Sequence, residues 1–179
     1  MRFANTAEGY GLLSRVLHWG IALAILGMLG LGTWIDRMTP DLSNFWLFGL
    51  HKSIGLTILV LVLVRLAWHR YSPPPVLRAM QHPWELYLAR TVHWSLYLLL
   101  LAIPLTGWAA SSATGIDTLY FDHWTVPPIA PPSESLSDLG FAAHGVLTKM
   151  LMLLLLLHIV GALRHGTGPG SALRRMWRG

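Results

Sequence analysis

The chain has 179 residues, 54% of them hydrophobic and 12% charged, with a mean hydropathy of +0.51, a membrane composition that leaves little room for a soluble domain. It contains no cysteine, which excludes disulfides, thiolate-held iron–sulfur clusters and covalent c-type haem, and leaves the histidines as the supply of metal ligands. The net charge of +5 would suit nucleic acid, but its distribution along the chain reads as membrane topology, so no nucleic-acid partner is expected.

Four spans follow in order, at about 14–35, 46–68, 86–109 and 138–164, within one transmembrane domain covering 1–179. Each approaches or exceeds the ~20 apolar residues that cross a bilayer as a helix. The first, with Ser14 as its expected N-cap, is interrupted only by His18 and is too long for a signal-peptide core, so it reads as a retained span. Its glycines, Gly20, Gly27, Gly30 and Gly32, would let a helix or a flat ring come close. The second span carries His51 and Lys52 near its start and Arg65 near its end, and the triple proline 73–75 ends the helical reading after it. Arg90 and His93 stand at the entrance to the third span, where Pro104 predicts a kink. The long polar connection 110–138 holds Asp122, His123 and Trp124 as an expected interfacial element, and Ser137 is the expected cap of the fourth span. The basic tail from His165 onward is expected at the membrane surface.

The fourth span is the organising stretch. His144 and His158 lie fourteen residues apart on it, two heptads, so both face the same seam of a supercoiled bundle. Lys and Arg set the orientation. With the N-terminus cytoplasmic, ten of the thirteen fall inside and only Arg37, Lys52 and Lys149 outside, a positive-inside pattern that puts both termini in the cytoplasm. His18 and His158 then share the inner half of the membrane, and His51 and His144 the outer half. Two imidazole pairs at two depths are what two planar macrocycles need in order to be clamped in a four-helix bundle, each iron between two histidines.

The residue one turn after each of these histidines is small: Ala22, Gly55, Thr148 and Ala162. His93 is instead followed by Tyr97, which would crowd a ring; it is read as a hydrogen-bonding or quinone-site residue, with ligation as the alternative. His69, His82, His123 and His165 are expected to be solvated. Arg15 and Lys52, close to His18 and His51, are natural partners for haem propionates, with snorkelling to headgroups the alternative for Arg15 and Arg65. Lys149 either snorkels outward or contacts a propionate or a quinone. A quinone site is expected at the inner ends of the spans, from Arg65, Arg90, His93, Trp19 and Trp94, with Glu85 nearby.

Four spans of this length, with His18 in Leu-His-Trp-Gly, His51 in Leu-His-Lys-Ser-Ile-Gly, and His144 and His158 fourteen apart, resemble the bacterial cytochrome b561 family, which includes the superoxide oxidase type. The resemblance covers about residues 10–165. It implies an all-α, up-and-down four-helix bundle in the bacterial inner membrane, two non-covalent bis-histidine b haems, and electron exchange with ubiquinone. Superoxide is the leading outer-face donor, with Lys52 and Arg37 as the catalytic positive charges. The alternatives are a periplasmic redox partner, or service as the electron-conducting anchor of a hydrogenase or formate dehydrogenase.

Overall fold

The computed structural model describes residues 2–76, 82–166 and 171–178. Four long helices dominate: α1 (Leu12–Arg37), α2 (Trp46–Tyr71), α3 (Pro83–Ala113) and α4 (Glu134–Arg164). A short hairpin of β1 (Thr118–Tyr120) and β2 (Trp124–Val126) lies between α3 and α4, and α5 (Ala172–Arg178) follows. All four long helices are apolar enough to cross a membrane. In hydrocarbon a helix pairs every backbone donor and acceptor within itself, which is why such segments fold this way. At 26 residues for α1 and α2 and 31 for α3 and α4, they measure about 39 and 46 Å at ~1.5 Å per residue. Their ends therefore project beyond the ~30 Å hydrocarbon layer.

Two helix starts differ from expectation. Ser14 is not the N-cap of α1, which begins after Gly11; it is fully buried inside the helix and accepts a hydrogen bond from Trp68 Nε1 at 2.9 Å. Ser133, not Ser137, caps α4, its hydroxyl accepting from the Leu136 N–H. An apolar run marks where a span is buried but not where its polar overhang begins. The third helix likewise starts at Pro83, with a capping box between His82 and Glu85, and runs without a break through Pro104 to Ala113.

Successive helices pack side by side, whereas the backbones of α1 and α4 stay apart along most of their length. The common core is Ile21, Ile25, Ile58, Val62, Leu99 and Leu151. Leu23, Leu98, Leu153 and Leu156 are more than half exposed, the outward apolar surface a lipid-facing bundle needs. One end of the bundle carries the N-terminal segment and α5, and is called here the terminal end; the other carries the hairpin.

The hairpin was anticipated only as an interfacial element around Asp122–Trp124. Its turn places Phe121 (φ 47°) and Asp122 (φ 60°) in the left-handed region, the backbone of a type I′ connection. A bulky residue there costs on the order of 1–3 kcal/mol. Anchoring offsets that cost: the Phe121 N–H donates to Ser53 Oγ at 2.8 Å, and the hydroxyls of Thr57 and Tyr120 pair at 3.0 Å. Ser111 and Thr118, both buried, pair at 3.1 Å, so the loop is pinned to α2 and α3 together.

Beside the hairpin, α3 and α4 meet at Gly140, where an added Cβ would lie 2.7 Å from Ala110 Cβ and 3.1 Å from its Cα. Gly140→Leu is expected to force the two helices apart at a cost of about 1–3 kcal/mol, read as a lower thermal midpoint of helicity in detergent. An unchanged midpoint would show that the contact is dispensable.

Candidate functional site

At the hairpin end, the rings of His51 on α2 and His144 on α4 have centroids 6.1 Å apart. Each ring is backed by a glycine of another helix. A Cβ on Gly32 of α1 would sit 3.2 Å from His51 Cε1, and one on Gly107 of α3 would sit 3.0 Å from His144 Cε1 and Nδ1. At both positions the lack of a Cβ lets an imidazole lie close against backbone. His144 Nδ1 donates to the Ile103 carbonyl at 2.9 Å, an oxygen that also accepts from Thr106 Oγ1. Since a carbonyl can only accept, Nδ1 carries a proton, and Nε2 is the nitrogen left for a metal. Such a bond behind a ligating histidine fixes both tautomer and orientation. His51 Nδ1 is buried with no hydrogen-bond partner.

At the terminal end, His18 on α1 and His158 on α4 have centroids 6.3 Å apart, and His93 on α3 lies 5.3 Å from His158. Two imidazoles flanking one metal, with bonds of about 2 Å each, place their centroids about 6 Å apart, so both the His18–His158 and His51–His144 separations fit a metal held between rings. Among the described residues no group of three or more His, Asp or Glu is arranged to hold a bare ion.

Around the terminal pair lies a polar network that the sequence reading did not foresee. Arg65 donates from Nε to Tyr97 OH at 2.9 Å and from Nη1 to the Ser14 carbonyl at 3.3 Å. Tyr97 OH also pairs with His69 Nδ1 at 3.2 Å. His69, expected to be solvated, has its Nε2 buried and without a hydrogen-bond partner among the described residues; α2 extends beyond the expected span, and in its last turns Trp68 and His69 turn toward the bundle while Arg70 and Tyr71 are exposed. Tyr97, noted only as a crowding neighbour of His93, thus joins α2 to α3. Arg15 is not aimed at the pair. It donates from Nε to the Met176 carbonyl at 3.3 Å and from a guanidinium nitrogen to that of Trp177, and Trp19 Nε1 donates to Met176 O at 3.2 Å. The last carbonyls of a helix lack intrahelical partners, and α1 supplies them. The basic tail is therefore docked on the bundle. Burial pushes the Tyr10 phenol above its ordinary value, against the opposing pull of the Arg175 and Arg65 guanidiniums.

The other anticipated residues divide. Lys52 is half-buried beside His51, and Arg37 and Lys149 are exposed. Arg90 and Trp94, a turn apart on α3, are both exposed, Trp94 by 71%, so they do not close a slot with Trp19. Glu85 is buried at the base of α3, 3.9 Å from both Arg164 and His165, which keeps His165 out of the solvated class too. His82 and His123 are exposed, as expected.

A family profile described as prokaryotic cytochrome b561 matches residues 9–179. "Cytochrome b561 homolog 2" of Escherichia coli (strain K12) is 34% identical over 168 residues, covering 92% of this chain and 88% of the relative. "Probable superoxide oxidase CybB" of Yersinia pestis is 29% identical, covering 87% of this chain and 88% of that protein. "Cytochrome b561 homolog 1" of Escherichia coli (strain K12) is 28% identical over 83% of this chain and 85% of its own length. With four membrane-spanning helices and a family match over nearly its whole length, the chain belongs to the prokaryotic cytochrome b561 family, the haem b-binding, multi-pass membrane cytochromes of bacterial electron transfer.

Proposed function

We propose that this chain is a di-haem b oxidoreductase of the bacterial inner membrane that moves electrons from a donor at the hairpin end to ubiquinone near the terminal end. The observation that carries the reading is the pair of histidine pairs, His18 with His158 and His51 with His144, at opposite ends of one bundle. A haem b at each pair, held by His18 with His158 or by His51 with His144, would supply reversible one-electron exchange. The chain's part is to hold those rings: Gly32 and Gly107 seat them, and the Ile103 carbonyl keeps His144 Nε2 free to ligate. Arginine-rich segments put the terminal end, and both termini, in the cytoplasm.

Superoxide is the donor we favour, supported by the name of the Yersinia pestis relative. The balance is simple: two superoxide ions each lose one electron to become O2, and ubiquinone takes two electrons and two protons to become ubiquinol. No proton leaves superoxide, so the hairpin end needs only positive charge near His51. Lys52 provides it, half-buried and in no ion pair among the described residues, with Arg37 second. Quinone reduction consumes protons, and His93, within reach of the terminal pair, is chemically suited to deliver them. Trp19 and Arg65 share that interior, while Arg90 and Trp94 lie on its lipid-facing approach. A second reading, the membrane anchor of a dehydrogenase, is favoured by six exposed carboxylates at the hairpin end, Asp36, Asp41, Asp117, Asp122, Glu134 and Asp138, which suit a cationic protein partner. Quinone-linked turnover by the purified chain alone separates the two.

Replacing either member of a pair by Ala is expected to remove mainly that pair's haem, read by reduced-minus-oxidised spectra and haem-to-protein ratio. If His18→Ala and His144→Ala, both folded, abolish the same haem, the pairing is wrong. His93→Ala is expected to retain both haems and to slow quinone reduction at least tenfold; unchanged quinone kinetics would remove His93 from the site, and a missing haem would make it a ligand. Charge steering weakens as the screening length falls from ~10 Å at 0.1 M salt to ~3 Å at 1 M. Superoxide-driven haem reduction should therefore slow with salt and slow several-fold again in Lys52→Glu. A rate indifferent to both would rule out steering at Lys52.

A further inference from the structure

Arg175, on α5, is only 6% exposed. Its Nη1 donates to the Val76 carbonyl at 3.1 Å, whereas its Nε and Nη2 are buried with no hydrogen-bond partner among the described residues. Arginine does not give up its proton in proteins, and a buried charge left unpaired is strongly unfavourable. The ion pairs among the described residues, Arg164 and His165 with Glu85, do not include it. The two orphaned nitrogens share one edge of the guanidinium, the edge whose parallel N–H groups match the two oxygens of a carboxylate.

The position of this edge is set by the residues flanking His18. Arg15 and Trp19, three before and one after it, donate to the carbonyls of Met176 and Trp177, and Trp19 stacks edge-on against Trp177 at 5.3 Å. Ser171 caps the start of α5, accepting from the Arg174 N–H at 3.3 Å. The short helix is thus capped at its start and tied by its last turn to α1, at the end of the bundle where His18 and His158 face each other. Arg65 approaches the same end of α1, donating to the carbonyl of Ser14, the residue before the Arg15 that holds α5.

We propose that Arg175 is an oxyanion site that takes a propionate carboxylate of the tetrapyrrole held by His18 and His158, making α5 a latch on that cofactor. This rests on the reading of His18 and His158 as a haem pair. A lipid phosphate would satisfy the same fork, but burial favours a carboxylate carried into the bundle by the cofactor over a headgroup at its surface. Arg15, the residue whose sequence position suggested this role, instead positions the helix that supplies Arg175.

The test uses the full-length protein stripped of haem and reloaded with haem b or with its dimethyl ester, in which both propionates are blocked. With haem b, Arg175→Gln should lose the cofactor of the His18–His158 pair at least several-fold faster than the parent. It should also lower that haem's midpoint potential, because removal of a positive charge disfavours the reduced form; Arg175→Lys should restore part of both. With the dimethyl ester, parent and Arg175→Gln should behave alike, and the parent should release the ester several-fold faster than haem b. That last comparison decides the matter if Arg175→Gln does not fold. Equal retention and potential in parent and variant with haem b, or a difference that persists undiminished with the ester, would overturn the proposal. So would retention in the parent that follows phosphatidylglycerol content of the reconstituting vesicles and is independent of esterification, which would assign the fork to lipid phosphate. A parent with no haem at His18 and His158 would remove the haem-pair reading itself, whereas normal loading with an indifferent Arg175→Gln removes only the latch.

Discussion

An imidazole inside a bilayer has to be enclosed by protein, because hydrocarbon offers its nitrogens no partner and polar groups there carry a cost of several kcal/mol when unsatisfied. Six of this chain's histidines lie within the four long helices, and four of them meet in two pairs, 6.3 and 6.1 Å between ring centroids. Bringing them together constrains everything around them. His51 and His144 approach α1 and α3 so closely that a Cβ at Gly32 or Gly107 would crowd their rings. The small core of Ile21, Ile25, Ile58, Val62, Leu99 and Leu151 holds the helices in register, while the α1 and α4 backbones remain separated.

The two ends solve the problem of helix termini differently. At the hairpin end, loop backbone is nailed to buried hydroxyls: Ser53 receives the Phe121 N–H and Ser112 that of Ile129. That fixes a turn with two residues at positive φ directly over the start of α2, where His51 and Lys52 sit. At the terminal end the anchors are long donors. Asn5 pairs with Ser72 through its backbone N–H and its side chain, and Arg15 and Trp19 receive α5. The hairpin end is thus rigid and rimmed by carboxylates, and the terminal end is rich in guanidinium and imidazole groups. This polarity suits a device with a donor on one side and a proton-consuming acceptor on the other.

Hydrogen bonding also distinguishes the rings. His144 has its tautomer set by the Ile103 carbonyl, an acceptor on the helix that packs most extensively against α4. His51 Nδ1 has no partner, so the two rings of one pair are held by different means, one by a directed bond and the other by packing against Gly32. The terminal pair has His93 beside it and the Arg65–Tyr97–His69 network behind it. Its environment is therefore more cationic and more polar than that of the hairpin pair, and electrons lower their energy near positive charge.

Much of this architecture was legible in the chain alone, because a bilayer imposes strong one-dimensional rules. Apolar length identified the four spans and the fourteen-residue spacing put His144 and His158 on one face. The depth argument joined His18 to His158 and His51 to His144, the same partners that meet in the fold. What only the tertiary structure decided lies where hydrophobicity carries no signal, in the polar overhangs and loops. The docking of α5, the burial of His69 and Arg175, the engagement of Arg15 with the Met176 and Trp177 carbonyls, and the outward turn of Arg90 and Trp94 all depend on which side chains converge across distant helices. Gly107 shows the reason most plainly. One glycine in an apolar span looks like any other, and only the arrival of His144 from a helix 30-odd residues later along the chain makes the absence of its Cβ a requirement.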